Sequence, residues 1–250
     1  ASDVYKRQQL YNAINTLSNS IVVAFRPTLI KSYSCQDMLY MQQLYSYANK
    51  AILYLLCLVA MPLMLETENV LQFWLGYSTP EIILFCRLYI IYTIVLTLHN
   101  PITIIIQATG KIRKYSLYVE SLTIMNIPVC WGLFILDCPS YTIFIVMIVL
   151  CLIAHNIRLV MLRRAIPELK LRSYYKHLIL PAFFILGITS MLELFLLQLP
   201  ITGFQRFGLI VISSVMVMSI LIYVWGFSEA ERKLLHSLIH KVVNKRQIVL

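Results

Sequence analysis

The sequence is short of charge. Asp, Glu, Lys and Arg make up 13% of its 250 residues, 60% are hydrophobic, and the mean hydropathy is +0.77. Soluble domains carry about 25% charged residues, so an ordinary globular enzyme and a disordered chain are both excluded. Cysteine is scarce, with 6 residues and no Cys-x-x-Cys pair or Cys/His cluster at metal-ligand spacing. Neither a disulfide framework nor a zinc site is indicated, and the cysteines read as packing residues. The chain also lacks G-x-S-x-G, H-E-x-x-H and G-x-x-x-x-G-K-[ST]. It therefore carries no hydrolytic or phosphate-loop signature, implies no cofactor, and would need a partner chain to run on ATP.

The opening does not read as a signal peptide, because Asp3-Val4-Tyr5-Lys6-Arg7-Gln8 is followed by no apolar core of that kind. Residues 1–8 read instead as the translation of a sequencing-adaptor end, set aside from fold reasoning, with the natural chain expected to continue upstream.

What is present is a series of long apolar stretches. Seven reach, or nearly reach, the roughly 20 residues that cross about 30 Å of hydrocarbon. They lie near 9–30, 47–65, 83–106, 116–137, 141–161, 177–199 and 206–226. The expected fold is an all-α integral membrane helical bundle of about seven transmembrane helices over 9–226, with a tail at 227–250.

Basic residues alternate along the connections. The junctions holding Lys31 to Lys50, Lys111 to Lys114, Arg158 to Lys176 and Arg232 to Arg246 carry most of the 21 Lys and Arg. The intervening junctions hold Glu66, Glu68 and Glu81, then Asp137, then a lone Arg206. The positive-inside bias places the first end outside and the last end in the cytoplasm. It also explains the net charge of +10 without nucleic acid, since scattered loops offer no continuous basic face.

Two segments are expected to lie along the membrane. Leu234, Leu235, Leu238, Ile239, Val242 and Val243 recur at helical spacing among basic residues, and Met38, Met41, Leu44 and Tyr45 form a shorter amphipathic lead-in to the second span.

Polar groups within spans are costly, so each is a functional candidate unless it reaches water from a helix end. Arg87 and Glu193 lie toward the outer face, where they either pair, snorkel, or leave Arg87 to meet an anion. Toward the inner face lie Glu120, His99, Asn100, His155, Arg158 and Arg26. His155 and Arg158, three residues apart, share a helix face that would offer donors to a phosphate or to Glu120. The alternative is a histidine satisfied by a backbone carbonyl. Asn12, Asn19 and Arg26, spaced by sevens, form a polar stripe that faces a helix or a water-filled cavity rather than lipid.

Three stretches carry a resemblance. They are Arg26-Pro27-Thr28-Leu29-Ile30-Lys31-Ser32-Tyr33; Leu58 to Thr67 with Val70-Leu71-Gln72-Phe73-Trp74-Leu75-Gly76; and Asn100-Pro101-Ile102 with Ile106-Gln107-Ala108-Thr109-Gly110-Lys111-Ile112-Arg113. In order and spacing they resemble bacterial polysaccharide flippases of the multidrug/oligosaccharidyl-lipid/polysaccharide exporter superfamily, over roughly 10–115. Arg26-Pro27-Thr28 departs from that family's usual Asn-Pro-Gln and adds a positive charge.

The resemblance implies the C-terminal lobe of an alternating-access transporter in the bacterial inner membrane. It would flip a lipid-linked oligosaccharide together with an N-terminal lobe of the same chain. The substrate-cavity candidates are then Arg26, Asn12, Asn19, Arg87, Asn100, His155 and Arg158, with Glu120 and Glu193 as intramembrane acids. A multidrug exporter would favour acidic cavity residues. A membrane sugar polymerase would need a long outer loop, and a seven-helix receptor shares the expected topology.

Overall fold

The computed structural model describes Thr16, Asn19, Ser20, residues 22–110, 112–167, Leu169, 171–196, Gln198, 203–229 and 231–233. Asn12, the 1–8 segment, ten of the 22 residues of the 9–30 span and the tail beyond 233 lie outside the described residues.

The described residues form helices and no strand. The first, α1, covers 22–34. It is followed by α2 (Met38–Leu65), α3 (Thr67–Leu75), α4 (Pro80–Thr97), α5 (Asn100–Ala108), α6 (Ile112–Ile135) and α7 (Thr142–Ala165). The short α8 (Leu171–Tyr174) runs through a wide turn at Tyr175–Ile179 into α9 (Leu180–Leu196), and α10 (Gly203–Leu221) closes through a second wide turn at Ile222–Gly226.

Local chemistry sets these boundaries. Asp37 caps α2 by accepting from the Tyr40 backbone N–H at 3.1 Å, after a turn in which Gln36 takes a left-handed φ of 57°. Gly76, at φ 80°, ends α3 in the left-handed conformation that glycine adopts without penalty. Thr79 and Pro80 start α4. Pro101 cannot donate to the carbonyl one turn back, and the span Pro80–Ala108 accordingly breaks at Leu98–His99. Pro181 has a similar effect: ahead of it the Leu180 N–H reaches back five residues to the Tyr175 carbonyl, making the wide turn at Tyr175–Ile179.

Six stretches among the described residues are long and apolar enough to cross a bilayer: Met38–Leu65, Pro80–Ala108, Tyr115–Ile135, Thr142–Ala165, Leu171–Leu196 and Gln205–Gly226. Five of these match the expected third to seventh spans. The second differs, because no helix breaker separates the lead-in at Met38 from the span, so one helix of 28 residues forms. Its lead-in residues Met41, Leu44 and Tyr45 are buried in the protein core rather than laid on a membrane. The nine-residue α3 was not anticipated between the spans.

Helix α2 is the centre of one half of the bundle, touching α4, α5, α9 and α10, while α7 is the centre of the other, touching α4, α5 and α6. In its most apolar stretch 61% of α2 is buried, against 6% for α6. Around the outside stand Ile124, Ile127, Trp131, Phe183, Met191, Phe195, Ile212 and Trp225, all largely exposed. An apolar exterior of this kind has hydrocarbon as its natural solvent, and the fold is an all-α multi-pass membrane bundle. Successive spans run in opposite directions. One end of the bundle thus gathers the basic junctions (the basic end) and the other gathers Glu66, Glu68, Glu81 and Asp137 (the acidic end).

Candidate functional site

The break at Leu98–His99 sits beside the most polar part of the interior. On α7, His155 and Arg158 are buried on one face, as their spacing of three requires. Helix α6 contributes Tyr115, α5 contributes Thr103, and α8 contributes Tyr174.

The hydrogen bonds run in one direction. Arg158 Nε donates to the Tyr115 hydroxyl at 3.1 Å, which lies 2.7 Å from Thr103 Oγ1. Thr103 in turn donates to the His99 carbonyl at 3.0 Å, so the Tyr115 proton points to Thr103. The chain ties α7 and α6 to the carbonyl at the helix break, which also accepts from the Thr103 backbone N–H at 2.9 Å. Nearby, His155 Nε2 lies 3.1 Å from the Tyr174 hydroxyl, with the rings 5.8 Å apart.

The cluster is cationic and unbalanced. Arg158 is 7% exposed, and among the described residues its Nη1 and His155 Nδ1 have no hydrogen-bond partner. Arg158 lies near enough to the His155 and His99 imidazoles to act on them electrostatically. The ion pairs among the described residues are Lys50–Glu231 and Arg206–Glu66, so Arg158 has no carboxylate there. A buried guanidinium without a counter-charge is expensive and suits a site that receives an anion. Arg158 also lines a cleft of about 80 Å³ with Tyr92, Thr123, Asn126 and Cys151.

The other candidates are dispersed. Arg26 is exposed on α1 and its Nη2 donates to Gln107 Oε1 of α5 at 3.2 Å; Asn19, two turns earlier, is exposed too. Beside Gln107, Ile106 and Thr109 open onto a groove of about 1050 Å³ that includes Tyr118, Asn156 and Arg164. Arg87 donates through Nε to the Met64 carbonyl at 3.0 Å, while Glu193, fully buried, accepts from Ser213 Oγ at 3.0 and 3.1 Å. These two therefore have separate partners and do not form the pair considered from sequence. Glu120 is exposed on α6 and makes no ion pair with Arg158 or His155 among the described residues; Asn100 is half-buried at the start of α5.

Two ion pairs escaped sequence reasoning. Lys50 Nζ meets Glu231 Oε2 at 2.7 Å, and Arg206 Nε meets Glu66 Oε1 at 3.1 Å. Half of the first signal is spelled in the chain. Ser228 and Glu231 stand three apart, and each bonds the other's backbone N–H in a capping box.

No group of three or more potential metal ligands occurs among the described residues, and their six cysteines are free thiols. No protein-family model, curated protein or solved structure matches the chain.

Proposed function

We propose that the chain is the C-terminal lobe of a flippase that carries lipid-linked oligosaccharide from the inner to the outer leaflet of a bacterial inner membrane. The observation that carries this reading is the hydrogen bond from Arg26 to Gln107. It joins two of the three stretches that resemble the polysaccharide flippases, 81 residues apart in sequence, and holds a guanidinium on an exposed face of the bundle. A cation on such a face, with no carboxylate partner among the described residues, is poorly matched to lipid and well matched to a pyrophosphate crossing between two lobes.

In this reading the basic end is cytoplasmic and the first end of the chain is outside. The work is movement rather than covalent chemistry. The lipid tail stays in the bilayer while the headgroup passes along the face bearing Arg26 and Asn19, and the break at Leu98–His99 lets the two halves of that span move separately. Arg158, buried on the helix that gives the groove Asn156 and Arg164, adds positive potential without direct exposure.

The test is export of lipid-linked oligosaccharide in cells carrying the uninterrupted reading frame. Replacing Arg26 by Ala should lower export about tenfold or more with the protein still inserted, a loss of about 1.4 kcal/mol in binding the headgroup. Unchanged export removes Arg26 from the substrate path.

A further inference from the structure

The first half of α2 and the wide turn at Tyr175–Ile179 enclose a cavity of about 210 Å³ near the basic end. Tyr45, Asn49, Ser46 and Gln42 line it from α2, and Ser173, Tyr174 and His177 from the opposite wall, over a floor of Leu169 and Leu178. Tyr45 and Asn49 are 4% and 1% exposed. The Asn49 amide lies beside the Tyr45 hydroxyl, yet neither that hydroxyl nor Asn49 Oδ1 makes a hydrogen bond of normal geometry. Asn49 Nδ2 is already committed to the Tyr45 carbonyl at 2.8 Å, which fixes the amide so that its oxygen is the open atom.

We infer that this cavity binds an uncharged polyhydroxyl group of roughly monosaccharide size. Among the described residues the lining has hydroxyls, carboxamides and an imidazole but no Lys, Arg, Asp or Glu, so an ion finds no counter-charge among them. An apolar occupant would forfeit the hydrogen bonds that the Gln42, Ser46, Ser173 and His177 side chains offer, at a cost in affinity. A polyol answers both, because every hydroxyl donates and accepts. The Tyr45 and Tyr174 rings, stacked 6.2 Å apart, add flat apolar surface for the C–H face of such a molecule. The wide turn that forms one wall is itself a helix distortion common at functional sites. The site is separate from the exposed face bearing Arg26, and its occupant is a different chemical class from a pyrophosphate.

The polyhydroxyl group has two possible sources, a free sugar or the headgroup of a membrane lipid. Arg172 and Lys176, both exposed, precede the lining residues Ser173 and His177, where a lipid phosphate would lie.

Native mass spectrometry of the whole chain in amine-oxide micelles, free of sugar-based detergent, separates the two. The probes are glucose and phosphatidylglycerol, with phosphatidylcholine as the control lipid. A saturable one-to-one glucose adduct supports a free ligand; an adduct with phosphatidylglycerol over phosphatidylcholine supports a headgroup. Either should weaken about tenfold in Tyr45→Phe, which removes one oxygen. If that variant does not fold, Ser173→Ala, at an exposed lining position, gives the same readout. No adduct above the control, or adducts undiminished in a folded variant, would mean that the cavity holds water alone and would overturn the inference.

Discussion

Lys50 and Glu231, 181 residues apart, join Nζ to Oε2 at 2.7 Å with both side chains buried. Arg206 and Glu66 make the corresponding contact at the acidic end, so α2 and α10 are pinned antiparallel at both ends of their shared seam. Glu231 also accepts from the Ser228 N–H, which holds its carboxylate in place for Lys50.

Removing one member of the buried pair should therefore be severe. Lys50→Met leaves the Glu231 carboxylate enclosed without a cation and is expected to cost about 3–5 kcal/mol. Adding Glu231→Gln, which keeps an acceptor for the Ser228 N–H, should recover most of that loss. Thermal unfolding in micelles measures both, and a single variant as stable as the parent would show that the pair carries no weight.

The second pair should matter less. The Arg206 side chain is 35% exposed, and Glu66 keeps Asn69 as a hydrogen-bond donor. Arg206→Ala is expected to lower stability by about 1 kcal/mol, with part of the effect screened by added salt.

Gly226 has a steric role. A Cβ at this position would lie 2.9 Å from Tyr54 Cε2 and 3.1 Å from its hydroxyl oxygen. Gly226→Ala should destabilise by about 1–3 kcal/mol through overpacking, and Tyr54→Leu in the same chain should relieve most of it. Additive losses in the double variant would count against the contact.

The cationic cluster separates stability from activity. Arg158→Met replaces a buried, unbalanced guanidinium by an apolar chain of similar length, so stability should hold or rise. If the flippase reading is right, export should fall by about tenfold. A variant that exports normally would make the cluster structural.

Two thiols report orientation. Cys35 is exposed at the basic end and Cys138 half-buried at the acidic end. A membrane-impermeant maleimide applied to intact cells should modify Cys138 and spare Cys35. The reverse pattern would invert the topology expected from the basic junctions.

Most of the architecture was legible because hydropathy and length alone define a span; the positions from Pro80 to Gly226 need no knowledge of packing. Lys50 shows where that reading fails. It looks like one more basic loop residue, but α2 runs from Met38 without interruption, which places Lys50 inside a helix and in need of a partner. That partner, Glu231, is invisible at such a separation in sequence. The face shared by His155 and Arg158 followed from helical spacing, whereas their separation from Glu120 did not. Glu120 lies on the outward side of α6, and one sequence gives the side of a uniformly apolar helix only weakly.

Helix α6 leans chiefly on α7, which follows it in the chain, and six residues join the two. The ribosome therefore delivers α6 before the surface it will settle against. In that interval Trp131, Ile127 and Ile124 are solvated by acyl chains, as they largely remain afterwards. The natural unit of insertion is the α6–α7 hairpin, and a ribosome stalled within α7 would leave α6 tethered to α5 by three residues but without the surface it packs against.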